Sequence, residues 1–103
     1  MDESVVSRGG VVVRLTEERW AHIAAEHAEL AGMRAQVLAT VGEAQSVLAG
    51  GAGELLAVRE VELGKVMVVI YREDEGDGFV ITAFLTRQVT KLNRRLRVWP
   101  PKN

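Results

Sequence analysis

The stretch ELLAVREVELGKVMVVIYREDEGDGFVITAFLT, residues 54–86, decides the fold. It holds three runs of strand length, Glu54 to Leu63, Lys65 to Arg72 and Phe79 to Thr86, which alternate apolar with polar residues or stay apolar throughout. The separators are Gly64 and the segment Glu73-Asp74-Glu75-Gly76-Asp77-Gly78. Neither is long enough for a crossover helix, so neighbouring runs must pair as hairpins in an antiparallel meander.

Upstream, the periodicity changes. Val11 to Leu15 is a short β-branched run, and Thr16 stands where a helix N-cap is needed, with Glu17 and Glu18 in the first turn favoured by the helix dipole. The 3.6-residue spacing predicts a helix over Glu17 to Leu30, broken by Gly32. Met33, Val37, Leu38 and Val41 form a second apolar stripe that predicts a second helix ending near Gly42. Ser46 to Ala49 reads as a brief strand before the turn Gly50-Gly51-Ala52-Gly53. The expected fold is α+β, with two N-terminal helices packed on one face of a roughly four-stranded antiparallel β-sheet. Residues 1–10 are polar, end in Gly9-Gly10 and read as a flexible lead-in; residues 11–99 form a single domain, and 100–103 are a tail opened by Pro100-Pro101. Residues 89–99 fit either a helix or a strand.

Composition limits the function classes. The chain has 103 residues, enough for one core, and no cysteine, which excludes disulfides, thiolate nucleophiles and sulfur-liganded zinc. No apolar run approaches membrane-spanning length and no basic-then-apolar leader opens the sequence, so the expectation is a cytoplasmic protein with no membrane contact. Net charge is −1, yet it is unevenly spread. Residues 79–103 contain no Asp or Glu but carry Arg87, Lys91, Arg94, Arg95, Arg97 and Lys102. That basic third suits phosphate, an acidic partner or the acidic face of the chain's own helix.

Titratable chemistry is concentrated in Trp20-Ala21-His22-Ile23-Ala24-Ala25-Glu26-His27-Ala28-Glu29-Leu30, which holds both histidines. On a helical wheel Trp20, Ile23, Ala24 and His27 share one face, while His22 lies with Glu18, Glu26 and Glu29 on the other. The two imidazoles are five residues apart and point about 140° from each other, so they do not form an i, i+4 metal pair, and no metal or cofactor is expected. His27 on the apolar face is either a hydrogen-bonded core histidine or an acid–base group meeting something on the sheet. The strand residues able to meet it are Arg59, Tyr71 and Thr82, each of which also has an ordinary role as a strand former or a solvated cation. The glycine clusters are turns. Gly50 to Gly53 lacks the Lys-Ser or Lys-Thr of a phosphate loop, and Asp74 to Gly78 lacks the length and closing Glu of a calcium loop.

Taken together, the Trp-x-His-Ile-x-x-x-His-x-Glu-Leu helix (Trp20 to Leu30), the Phe-Val-Ile-Thr-Ala-Phe-x-Thr strand (Phe79 to Thr86) and the closing Trp99 resemble a family of small prokaryotic proteins in the BECR group, the nucleases related to barnase, EndoU, colicin tRNases and RelE-type toxins. The resemblance covers about residues 11–99. It implies metal-independent cleavage of RNA by attack of a 2′-OH on the adjacent phosphate, with an antitoxin protein as a further partner. Carried over, it makes His22 and His27 the acid–base candidates, Arg59 the phosphate clamp, and Thr82 and Tyr71 positioning groups; the basic C-terminal third then offers Arg87, Lys91, Arg94 and Arg95 as RNA-binding cations. The alternative is a non-catalytic binding or regulatory module of the same fold with structural histidines.

Overall fold

The computed structural model describes residues 2–101. Its centre is the predicted meander. Strands β4 (Leu55–Glu62), β5 (Lys65–Asp74) and β6 (Asp77–Thr86) pair antiparallel through two tight hairpins. At the second, Glu75 and Gly76 both take positive φ, 48° and 81°, the backbone of a two-residue type I′ turn that matches strand twist.

The sheet is larger than the sequence predicts. It has seven strands, in the order β1-β2-β6-β5-β4-β3-β7, with three helices, where a four-stranded sheet and two helices are expected. The added strands are β1 (Glu3–Val6), within the stretch read as a lead-in, β2 (Val12–Leu15) and β7 (Arg97–Trp99), while β3 (Ser46–Ala49) pairs with β4 as predicted. Nor is the sheet purely antiparallel, because β2 runs parallel to β6 through Val13↔Gly78 and Arg14↔Phe79. These strands are three or four residues long, too short for periodicity to register, and although β1 and β2 form a local hairpin, the β2–β6 and β3–β7 pairings lie far along the chain. The ambiguous segment 89–99 proves to be both types: a single-turn helix α3 (Val89–Leu92), then β7 on the edge beside β3.

Helix α1 (Glu17–Glu26) starts as expected, with the Thr16 side chain accepting from the Arg19 amide at 3.1 Å. It stops at His27, where ψ swings to 75°, and a 3-10 turn over Ala28–Leu30 then seats Leu30 in the core with no exposure. Helix α2 (Arg34–Gly42) follows. Arg34 ties the layers, reaching Glu3 on β1 at 2.7 Å and Glu17 on α1 at 2.9 Å.

Both faces of the sheet are apolar. On one, Ile23, Leu30, Val37 and Val41 of the helical layer pack on Val13, Leu15, Val47, Ala57, Met67, Val69, Tyr71 and Ala83. On the other, Leu48, Leu56, Val58, Val66 and Val68 meet Ile70, Phe84, Val89 and Leu92. Each fully buried aliphatic side chain stabilises by about 1.5–3 kcal/mol, so the second cluster has ample reason to hold α3 down.

Gly78 is required for closeness, not for its φ. A Cβ there would lie 2.8 Å from the Val12 carbonyl oxygen and 3.1 Å from that of Arg72, backbone that cannot rotate away. Gly78→Ala is expected to destabilise by about 2 kcal/mol or more through overpacking. Gly51→Ala, with nothing within 4 Å, should be neutral. Urea denaturation of the two variants checks the contrast.

Candidate functional site

The structure disperses the proposed catalytic group. His27 sits at the C-terminus of α1 with its side chain 31% exposed and its Nδ1 3.5 Å from a Glu29 carboxylate oxygen. His22 is exposed beside Thr16, Glu18 and Arg19. Arg59 on β4 turns to α2 instead, its guanidinium donating to the Gln36 side-chain oxygen and, at 3.3 Å, to the Thr40 hydroxyl. Tyr71 is 1% exposed, in the core beneath the helices. Thr82 pairs with Ile70, whose side chain belongs to the second cluster, so its hydroxyl lies across the sheet from both helices.

A β-bulge fixes that last separation. Ile70 opposes Thr82 but Tyr71 opposes Val80, so Ile81 is an extra residue on β6. The helix face receives Val80 and Ala83, and Thr82 goes to the other side. The imidazole of His27 and the hydroxyl of Thr82 therefore do not share a cleft. Among the described residues no three His, Cys, Asp or Glu side chains cluster as metal ligands would, and no helix is long and apolar enough to cross a membrane.

The basic residues do converge. After α3 the chain turns back over the second face, held by hydrogen bonds from the Ala49 amide to the Leu96 carbonyl at 2.9 Å and from Arg95 to the Ala49 carbonyl at 3.4 Å. Between this segment and β3 opens a groove of about 630 Å³, with Ser46 and Leu48 as floor and Arg94, Arg95 and Arg97 as rim. None of the three guanidiniums has a carboxylate within ion-pair distance among the described residues. Glu54 is the nearby acid, and its carboxylate is occupied: the Ala52 amide and its own amide hold its carboxyl below the usual range, with Arg72 and Arg95 adding their charge.

The other two cations behave differently. Arg87 is paired with Glu62 at 3.0 Å, and Lys91 borders a separate shallow pocket with Phe84 and Gln88. Sequence reasoning thus finds Arg94 and Arg95 but passes over Arg97, whose position depends on the three-residue strand β7.

In comparisons with known proteins the chain matches no family profile, no curated sequence and no solved structure.

Two outcomes follow for the residues that the structure holds apart. Arg59→Ala should cost about 1 kcal/mol by freeing Gln36 and Thr40, while His27→Gln should stay within about 0.5 kcal/mol, as a partly exposed pair allows; urea melts resolve the difference. For Tyr71, burial pushes the phenol above its ordinary value, with the Glu73 charge adding to it. The unfolded phenol ionises near pH 10 and the folded one later, so this contribution to stability is whole below about pH 10 and is lost above it. Urea midpoints measured at about pH 9 and pH 11 should fall in the wild type and fall less in Tyr71→Phe.

Proposed function

We propose that the protein is a non-catalytic RNA-binding module that grips a phosphate chain in the groove between β3 and the segment after α3. The observation that carries this reading is the triad Arg94, Arg95 and Arg97, three guanidiniums on one rim with no ion-paired carboxylate among the described residues. Guanidinium forks match phosphate oxygens bidentately and keep their charge at every physiological pH. The apolar floor at Leu48 and the hydroxyl of Ser46 give a base or sugar somewhere to rest without demanding a particular sequence.

Binding is favoured over cleavage on geometric grounds. Attack by a 2′-OH needs a base and an acid flanking one phosphate, within about 3 Å of the atoms that exchange protons. The imidazoles lie on the helical side, whereas Arg94, Arg95 and Arg97 lie on the opposite face of the sheet. The acidic helix around His22, with Glu18, Glu26 and Glu29, would also repel a phosphate chain on that side.

Fluorescence anisotropy with a labelled single-stranded RNA tests the reading. Three phosphate contacts predict that log K falls with log salt at a slope of roughly −2. The variant Arg94→Gln/Arg95→Gln/Arg97→Gln, checked for fold by circular dichroism, should lose at least about tenfold in affinity. His27→Ala should bind like the wild type, and the RNA should come back intact from both. A flat wild-type titration at low salt, equal binding by the triple variant, or equally tight binding of a polyglutamate chain would each overturn the proposal.

A further inference from the structure

The two edges of the sheet approach each other at one end. Arg8, in the turn between β1 and β2, lies over the ring of Trp99 on β7, 4.3 Å from its centroid, although these strands stand at opposite ends of the strand order. Between them lies a partly open cavity of about 150 Å³, walled by Arg8, Val47, Leu55, Tyr71, Glu73 and Trp99. An apolar void of roughly that size holds one benzene-sized ring.

Two features give this cavity polar specificity. Tyr71 is 1% exposed and its phenol makes no hydrogen bond to any described residue, and since its oxygen is not fully shut off from solvent, what access it keeps is to the cavity that Tyr71 lines. Glu73 is fixed in place: the buried Ser7 hydroxyl donates to its Oε2, and that hydroxyl in turn accepts from the amides of Gly9 at 3.2 Å and Val11 at 3.3 Å. The turn presses on the carboxylate so closely that a Cβ on Gly9 would stand 2.8 Å from both its oxygens. Arg8 donates its Nε to the Ala44 carbonyl at 3.0 Å while its plane covers the indole, and its charge stands on the indole side of the cavity. On the opposite side the cavity offers a newcomer two acceptors, the Tyr71 oxygen and the Glu73 carboxylate, above an apolar body.

We propose that this cavity binds a small primary amine, its ammonium shared between Glu73 and Tyr71 and its ring-sized apolar part against Val47, Leu55 and Trp99. An ammonium carries three donors and no acceptor, which suits two acceptor atoms and a carboxylate charge. The site is separate from the arginine groove, on the other face of the sheet, so it stands whether or not the chain binds RNA.

Benzylamine is the probe. Titrated into the full chain, it should shift the Trp99 indole N–H resonance saturably and leave that of Trp20 in place, the two being assigned with Trp20→Phe. Tyr71→Phe and Glu73→Gln should each weaken binding by about tenfold or more, the size of one lost charge-assisted hydrogen bond. Benzyl alcohol, with the same ring and no charge, should bind more weakly by a similar factor. No saturable shift at millimolar benzylamine would overturn the proposal. So would wild-type affinity in both variants when their spectra show them folded, or phenylacetate binding as tightly as benzylamine.

Discussion

Strand β5 is apolar on both of its faces, and the rest of the molecule is arranged to cover it. Val66, Met67, Val68, Val69 and Tyr71 are all at most 5% exposed, and alternate members point to opposite sides. One layer of helices can shield only Met67, Val69 and Tyr71. Val66 and Val68 need a second cover, and the chain supplies it late, by folding Val89 and Leu92 of α3 back across Phe84. That return is what brings the basic segment onto the second face. The position of the arginine groove is thus a by-product of hydrophobic burial, and the charges ride on a segment that apolar residues hold in place.

The same constraint separates the two kinds of chemistry in the chain. Imidazoles and their carboxylate neighbours belong to the helical layer, and the Arg94, Arg95 and Arg97 cluster to the opposite side. On the helical side Arg59 is consumed by Gln36 and Thr40 and serves as a clasp between β4 and α2. A net charge of −1 conceals this division. Because screened interactions fade over about 8–10 Å, a sheet with side chains on both faces is thick enough for an anion at the groove to feel the arginines far more than the glutamates of α1.

The central meander was legible in the sequence because hairpins are local: Gly64 and Glu75-Gly76 sit between runs of strand length, and turn chemistry with period-2 patterning suffices to read them. Helix α1 was legible from its cap and period up to Glu26. The four-stranded estimate failed where strands are short or pairing is distant. The β1–β2 hairpin is local, but its four-residue strands are too short to carry a pattern; Val13 does not announce Gly78, and the parallel β2–β6 ladder spans only two residue pairs. The continuous apolar run from Val66 to Tyr71 does carry the information that both faces are covered, since a half-exposed strand would alternate. For the site, the acid-free basic third was visible from composition, whereas Arg97 and Trp99 acquired their places from β7, and the face taken by Thr82 depended on a bulge at Ile81 that no propensity marks.

Bulges also account for why a cavity exists between strands that are not neighbours. Register shifts occur at Val47/Leu48, at Glu60/Glu62 and at Ile70/Tyr71, on three of the sheet's pairings. Each adds local right-handed twist and bends its strand, and together they coil the sheet around α2, against which β1 also packs. A flat sheet of this order would hold β1 and β7 some six strand spacings apart, roughly 28 Å. Here the β1–β2 turn comes close enough for Arg8 to stack on Trp99. Closure is incomplete, because β1 and β7 share no ladder; the gap is spanned by side chains alone, and the space they leave is bounded by Tyr71 and Glu73. β7 therefore has two faces with different duties: Arg97 on the groove and Trp99 on the cavity, joined by a single residue. A three-residue edge strand can hold both because Val98 is an extra residue at the register shift, so Arg97 opposes Leu48 and Trp99 opposes Val47 on the other face, where Arg8 stacks on it.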